Sequence, residues 1–177
     1  TIADDIKQNS VWAIFGSLVI VFFYILLRFQ KWQFSLGAVS AVFHDVLIVL
    51  GIFSLTYKIM PFNMEINQAF IAALLTVIGY SLNDTVVVFD RIREFFRIHK
   101  SWDNETTVNT ALNSTLSRTL NTSLTTLIVL IAIFIFGGES IRGFMFALII
   151  GVMVGTYSSV FIATPIMFDS YKKKVNN

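Results

Sequence analysis

GYSLNDTVVVFDRIRE occupies residues 79–94, and AFIAALLTVI, residues 69–78, runs directly into it. The joined stretch is apolar enough for the centre of a membrane, yet it carries Asn83 and Asp84 before three valines. Only beyond the valines do the charges of Asp90, Arg91, Arg93 and Glu94 appear. A carboxylate inside a bilayer-spanning helix is costly and is a functional hypothesis by default. The fold and the function both turn on how that cost is offset.

The composition agrees with a membrane setting. The 177 residues are 55% hydrophobic and 14% charged, with a mean hydropathy of +0.73; a soluble domain carries about 25% charged residues. The net charge of +2 comes from loop lysines and arginines, so no nucleic-acid partner is inferred. Without cysteine there is neither a disulfide nor a thiolate metal site. The opening TIADDIKQNS is acidic and polar, lacks an initiating Met and is unlike a signal peptide; it reads as the start of a fragment or a processed product.

Five segments reach the roughly 20 residues that a hydrocarbon core of about 30 Å requires: 11–27, 35–57, 68–89, 122–136 and 143–168. Helices are the only sensible form for spans this long without alternation. The predicted fold class is therefore all-α, a single transmembrane domain of five helices. Ten of the thirteen Lys and Arg fall on one side: Arg28, Lys31, Arg91, Arg93, Arg97, Lys100, Arg118 and Lys172 to Lys174. The positive-inside rule puts that side in the cytoplasm, with Lys7, Lys58, Arg142 and the N-terminus outside. The longest connection, 90–121, is then cytoplasmic. Within it Asp103 is the expected N-cap of a helix with Glu105 in its first turn. Val108, Leu112, Leu116, Leu120 and Leu124 recur every four residues, which predicts a helix along the membrane surface or leading into the fourth span.

Three ionisable residues stand out. Asp45 lies near the middle of the second span, Asp84 toward the cytoplasmic part of the third, and Arg118 just ahead of the fourth on the same side. An Asp84–Arg118 pair is geometrically plausible. Burial disfavours a carboxylate's charge and a nearby Arg favours it; a group pulled both ways can take up and release protons. The competing reading is a static ion pair that fixes packing or an Arg that snorkels to lipid phosphate, and at this point the two stand level. Arg118, Asn121, Thr122 and Thr125 share one helix face, which fits a hydrated cavity or a polar partner helix. His44 is expected to pair only poorly with Asp45, since adjacent helical residues point about 100° apart. With His99 in the loop, a zinc site has little support. In the last span Gly143, Ala147, Gly151, Gly155, Ser159 and Ala163 repeat every four residues, a row that lets another helix approach closely. Pro165 is expected to kink or end that helix.

Residues 79–94 resemble the signature of the SecF family, the smaller half of SecDF protein-export complexes: GYSxNDTVVVxDRIRE matches at every fixed position. LSRTLNTSLTTL (116–127), HDVLIVLGIFSL (44–55) and FGGESIRGFMFALIIGVMVGTYSSVFIATP (136–165) match in the family's order. The resemblance implies half of a pseudo-symmetric bundle of the resistance-nodulation-division type. Its expected partners are a SecD half, the SecYEG channel and an exported unfolded polypeptide. It implies a multi-pass protein of the bacterial inner membrane, driven by the proton gradient, with protons as coupling ion, no other cofactor and no chemical substrate. It assigns proton movement to Asp84 and Arg118, more weakly to Asp45, with Asn83 and Thr122 in support. The family's first helix and periplasmic domain are not in this sequence, so these spans are expected to be its second to sixth. A structural scaffold with static ion pairs is the alternative, and half of a small-molecule efflux transporter a weaker one.

Overall fold

The computed structural model describes the backbone of residues 2–175 and the side chains of residues 12–171. Lys7 and Lys172 to Lys174, used in the charge count, have side chains outside that range. Among the described residues all regular structure is helical: α1 (Ile2–Phe29), α2 (Trp32–Thr56), α3 (Gln68–Ile98), α4 (Asn104–Phe136), α5 (Glu139–Ser158), a π turn (Ser159–Ala163) and α6 (Thr164–Val175). Five stretches are long and apolar enough to cross a membrane, with α5, the π turn and α6 together making the fifth.

Local chemistry sets the helix ends. α1 stops at Gln30, whose φ of 56° is left-handed and whose N–H donates to the Leu26 carbonyl at 2.8 Å; the chain then re-enters α2 two residues later. Asn67 caps α3, its side-chain oxygen accepting from the Phe70 N–H at 3.1 Å. Asp103 caps α4 as expected, accepting from the Thr106 N–H at 2.9 Å. The connection expected over 90–121 is mostly helix, because α3 continues to Ile98 and α4 begins at Asn104. At 1.5 Å per residue these two helices are each longer than about 45 Å. That exceeds a hydrocarbon core of about 30 Å, so the hairpin projects beyond it. The leucine repeat leads into the fourth span and does not form a separate surface helix.

Pro165 does not end the last helix. It lacks an N–H and would crowd the carbonyl four residues back. The π turn just before it absorbs this, and the Thr164 hydroxyl donates to the Ser159 carbonyl at 3.0 Å. Wide turns of this kind insert into α-helices without breaking them.

Helices α2, α3 and α5 form the centre, each 44% buried over its most apolar stretch, whereas α1 and α4 are 11% buried and lie outside. Two apolar clusters close the ends of the bundle. One gathers Phe29, Phe34, Phe89, Ile92 and Met167; the other gathers Phe53, Phe62, Phe70 and Leu148. The small residues of α5 face α3 closely. A Cβ on Gly151 would collide with the Val77 side chain, and one on Gly155 would lie 3.0 Å from Ser81 Cβ. The steps 77 to 81 and 151 to 155 match, so the two helices run parallel. An i, i+4 row drifts by about 40° per step around an α-helix. The row therefore turns from α3 toward α2, where the Ala163 carbonyl would meet a Cβ on Gly37 at 2.5 Å.

Candidate functional site

Between the two apolar clusters lies a polar layer at mid-bundle. Asp45 is thirteen residues from the start of α2 and eleven from its end, about 20 and 17 Å along the helix axis. Its side chain is fully buried. One carboxylate oxygen accepts from two hydroxyls on different helices, Ser81 of α3 at 2.6 Å and Ser158 of α5 at 2.7 Å. The other faces His44 Nδ1 at 3.1 Å. This corrects the expectation that His44 pairs poorly with Asp45. The two Cα–Cβ bonds do diverge, but the side-chain torsions swing the imidazole nitrogen back to the carboxylate.

One turn along α3 from Ser81 lies Asp84, 1% exposed. Its Oδ2 is buried with no hydrogen-bond partner. Buried polar atoms are nearly always satisfied, and each exception calls for an explanation. Ser123 of α4 stands beside it. The Ser123 hydroxyl also meets Tyr80 Oη at 3.3 Å and Thr156 Oγ1 at 2.6 Å, tying α3, α4 and α5 together. The hydroxyl of Thr119, one turn away on α4, is likewise buried and unpartnered.

Arg118 sits on α4, five residues ahead of Ser123, but its side chain is exposed. Among the described residues no ion pair joins it to Asp84. The face shared by Arg118, Asn121 and Thr125 turns outward from the bundle. The inward face of α4 is instead Thr107, Ala111, Thr115, Thr119 and Ser123. Asn83 is exposed, off the Asp84 face. Thr122 is half-buried and donates to the Arg118 carbonyl of its own helix at 3.0 Å. Most α4 hydroxyls act in this way, bonding back to their own helix; Ser123 also reaches α3 and α5, and Ser114 accepts from Arg91 Nε of α3 at 3.0 Å.

At the basic end, Asp90 binds Arg28 at 2.9 Å and Arg93 at 3.2 Å, and Arg93 Nη1 donates to the Arg28 carbonyl at 3.0 Å. The charges that end the opening stretch therefore lock α3 to the end of α1. The sequence reading missed Ser81, Ser158 and Tyr80. Spacing puts Ser81 and Tyr80 on the face of Asp84, three and four residues before it, but nothing in the spacing links Ser81 or Ser158 to Asp45. His44, Asp45 and Asp84 form no grouping of three or more His, Asp or Glu able to hold a metal ion among the described residues.

Residues 1–173 match the family model described as protein export membrane protein SecD/SecF, C-terminal. The chain is 58% identical to the protein translocase subunit SecF of Rhodothermus marinus over 94% of its own length and 54% of that protein. It is 43% identical to the SecF of Haemophilus influenzae, covering 95% of itself and 50% of the relative. A SecDF subunit of Brucella abortus is 44% identical, the match covering 94% of this chain and 21% of that one. The chain therefore spans about half the length of the SecF relatives it matches. A crystal structure of SecDF in a super-membrane-facing form superposes with a TM-score of 0.84 and 38% identity, over 96% of this chain and 22% of that chain.

Proposed function

This chain belongs to the SecD/SecF C-terminal family of protein-export membrane proteins, and from that premise we propose that it couples the proton gradient to export through Asp84. The proton is the coupling ion, with no further cofactor and no chemical substrate. The partners in this reading are a SecD half, the SecYEG channel and an unfolded exported polypeptide. The basic end lies in the cytoplasm, and the N-terminal end lies on the periplasmic side of the inner membrane.

One observation carries the reading: Oδ2 of the Asp84 carboxyl is buried without a hydrogen-bond partner, although the Ser123 hydroxyl stands beside the group. An unpaired polar group inside a bilayer costs several kcal/mol, unless a proton, water or partner group satisfies it in turn. A static ion pair with Arg118 would have given the scaffold alternative its anchor, and no such pair is formed. Arg118 lies toward the same end of the bundle, exposed on α4 yet near enough for its charge to act on Asp84. There it meets the partner half and tunes Asp84 through space without holding it. A change of protonation at Asp84 alters how α3 and α4 pack and so biases the exported segment's movement.

The test is Asp84→Asn in the full-length protein with SecD, in inverted membrane vesicles. Gradient-stimulated export is expected to fall by about tenfold or more, the scale of losing a positioned proton carrier, while gradient-independent export persists. Full stimulation in that variant would overturn the proposal.

A further inference from the structure

We propose that Asp45 is a positioning residue that clasps α2, α3 and α5 at one point and thereby sets the orientation of Asp84, without itself carrying the coupling proton. It rests on the reading of Asp84 given above. Three features of the geometry lead to it.

First, both hydroxyls converge on a single carboxylate oxygen, Ser81 at 2.6 Å and Ser158 at 2.7 Å. One oxygen thus joins three helices. Second, the approach is built for it. Gly155 stands where a side chain would press on Ser81, its added Cβ lying 3.0 Å from Ser81 Cβ and 3.3 Å from Ser81 Cα. The missing side chain lets α3 and α5 come close enough for both hydroxyls to reach Asp45. Third, the clasp stands beside the parts that matter. Ser81 precedes Asp84 by three residues, so both lie on one side of α3. Ser158 is the last residue before the π turn. Unlike Asp84, Asp45 has a contact on each oxygen and has no orphaned atom. Releasing Ser81 would free α3 to rotate and re-aim Asp84 relative to Ser123 of α4.

An asparagine at position 45 separates clasping from proton carrying. Its amide oxygen accepts both serine hydroxyls and its NH₂ donates to His44 Nδ1, so the clasp survives while the titratable group is lost. The experiment uses the full-length protein with SecD and compares Asp45→Asn, Asp45→Leu and the double variant Ser81→Ala/Ser158→Ala. Two quantities are read: gradient-stimulated export, and the rate at which a hydrophobic carbodiimide labels the Asp84 carboxyl, followed by mass spectrometry. Asp45→Asn is expected to match the parent in both. Asp45→Leu and the double serine variant are expected to change the labelling rate by about fivefold, the worth of a hydrogen bond, and to lower stimulated export by about tenfold or more. If Asp45→Leu fails to accumulate, the milder serine pair decides. Loss of stimulation in Asp45→Asn with Asp84 labelling unchanged would make Asp45 a proton carrier and overturn the proposal. Unchanged labelling in the serine pair would overturn it as well. Labelling is independent of export, so a parallel Asp84→Asn variant that exports normally would sink the coupling role of Asp84 and leave the clasp to stand on the labelling alone.

Discussion

Asp103 and Asp84 show how one residue type takes two roles through its surroundings. Asp103 is exposed at the start of α4, and its carboxylate accepts from the Thr106 N–H at 2.9 Å. That backbone donor holds its carboxyl below the usual carboxylate range. A group whose folded value is lowered stabilises the fold above its unfolded value, about 3.9 for Asp. The stabilisation is lost as pH falls through the folded value. The first turn of α4 is therefore expected to fray on acidification below about pH 4. In Asp103→Asn the cap persists, since Asn caps as well as Asp, and the pH dependence disappears. Protection factors for the Thr106 amide across that range check this, and a flat profile in the parent chain would sink it. Asp84 has the reverse situation, buried and with one oxygen unmatched. Its oddity was legible in the sequence because a carboxylate in an apolar run has few innocent explanations. The serines around Asp45 were not legible, because serine is common in membrane helices and only the register between helices makes two of them converge.

Helix contacts in this bundle depend on which glycine faces what. Gly37 faces the Ala163 carbonyl and Gly151 faces the Val77 side chain, whereas Gly51 and Gly79 have nothing within 4 Å of an added Cβ. Gly37→Ala must displace backbone and is expected to cost about 1–3 kcal/mol as overpacking. Gly151→Ala is expected to cost a similar amount, because rotating Val77 leaves its Cβ 2.9 Å from the added methyl and α3 and α5 must move apart. Gly51→Ala and Gly79→Ala are expected to stabilise by about 0.5–1 kcal/mol, the ordinary gain for a helix interior. Reversible unfolding in mixed detergent ranks the four; Gly37→Ala as stable as Gly79→Ala would show that α2 and the π turn are not held so tightly. The small-residue row of α5 was readable from its spacing, and so was its meaning, close approach. Its partners were not, because the row drifts around the helix from α3 to α2. The same drift explains the α4 leucines: Val108 is buried and Leu124 is 59% exposed, although the spacing never changes. Spacing also placed Arg118, Asn121 and Thr125 together, but it carried no information on the rotation of α4 about its axis.

That rotation is what makes this chain incomplete as a membrane body. α4 is mostly uncovered, and its outer face mixes Leu120, Leu124 and Ile128, at 52%, 59% and 59% exposure, with exposed Arg118, Asn121 and Thr125. The leucines and isoleucine suit lipid, but an Arg and an Asn on the same side do not. Intramembrane ionisable residues face a bundle interior or a water-filled cavity, so this face needs protein against it. α1 is as poorly covered, yet its exposed residues include Trp12, Phe15, Ile20, Phe23 and Leu27, which lipid solvates without cost. Under the proposed function, the asymmetry points to α4 as the side that a SecD half would cover, in keeping with the match to a SecDF chain more than four times as long. A cysteine at Asn121 of the full-length protein is therefore expected to react readily with a small maleimide when SecD is absent. With SecD present it should be protected by about tenfold or more, as expected of a site inside a packed interface. A cysteine at Ile20 of α1 should react equally in both cases and serves as the lipid-facing control. Equal reactivity at Asn121 with and without SecD would place the partner on another face, and Arg118 would then have to reach Asp84 from the lipid side.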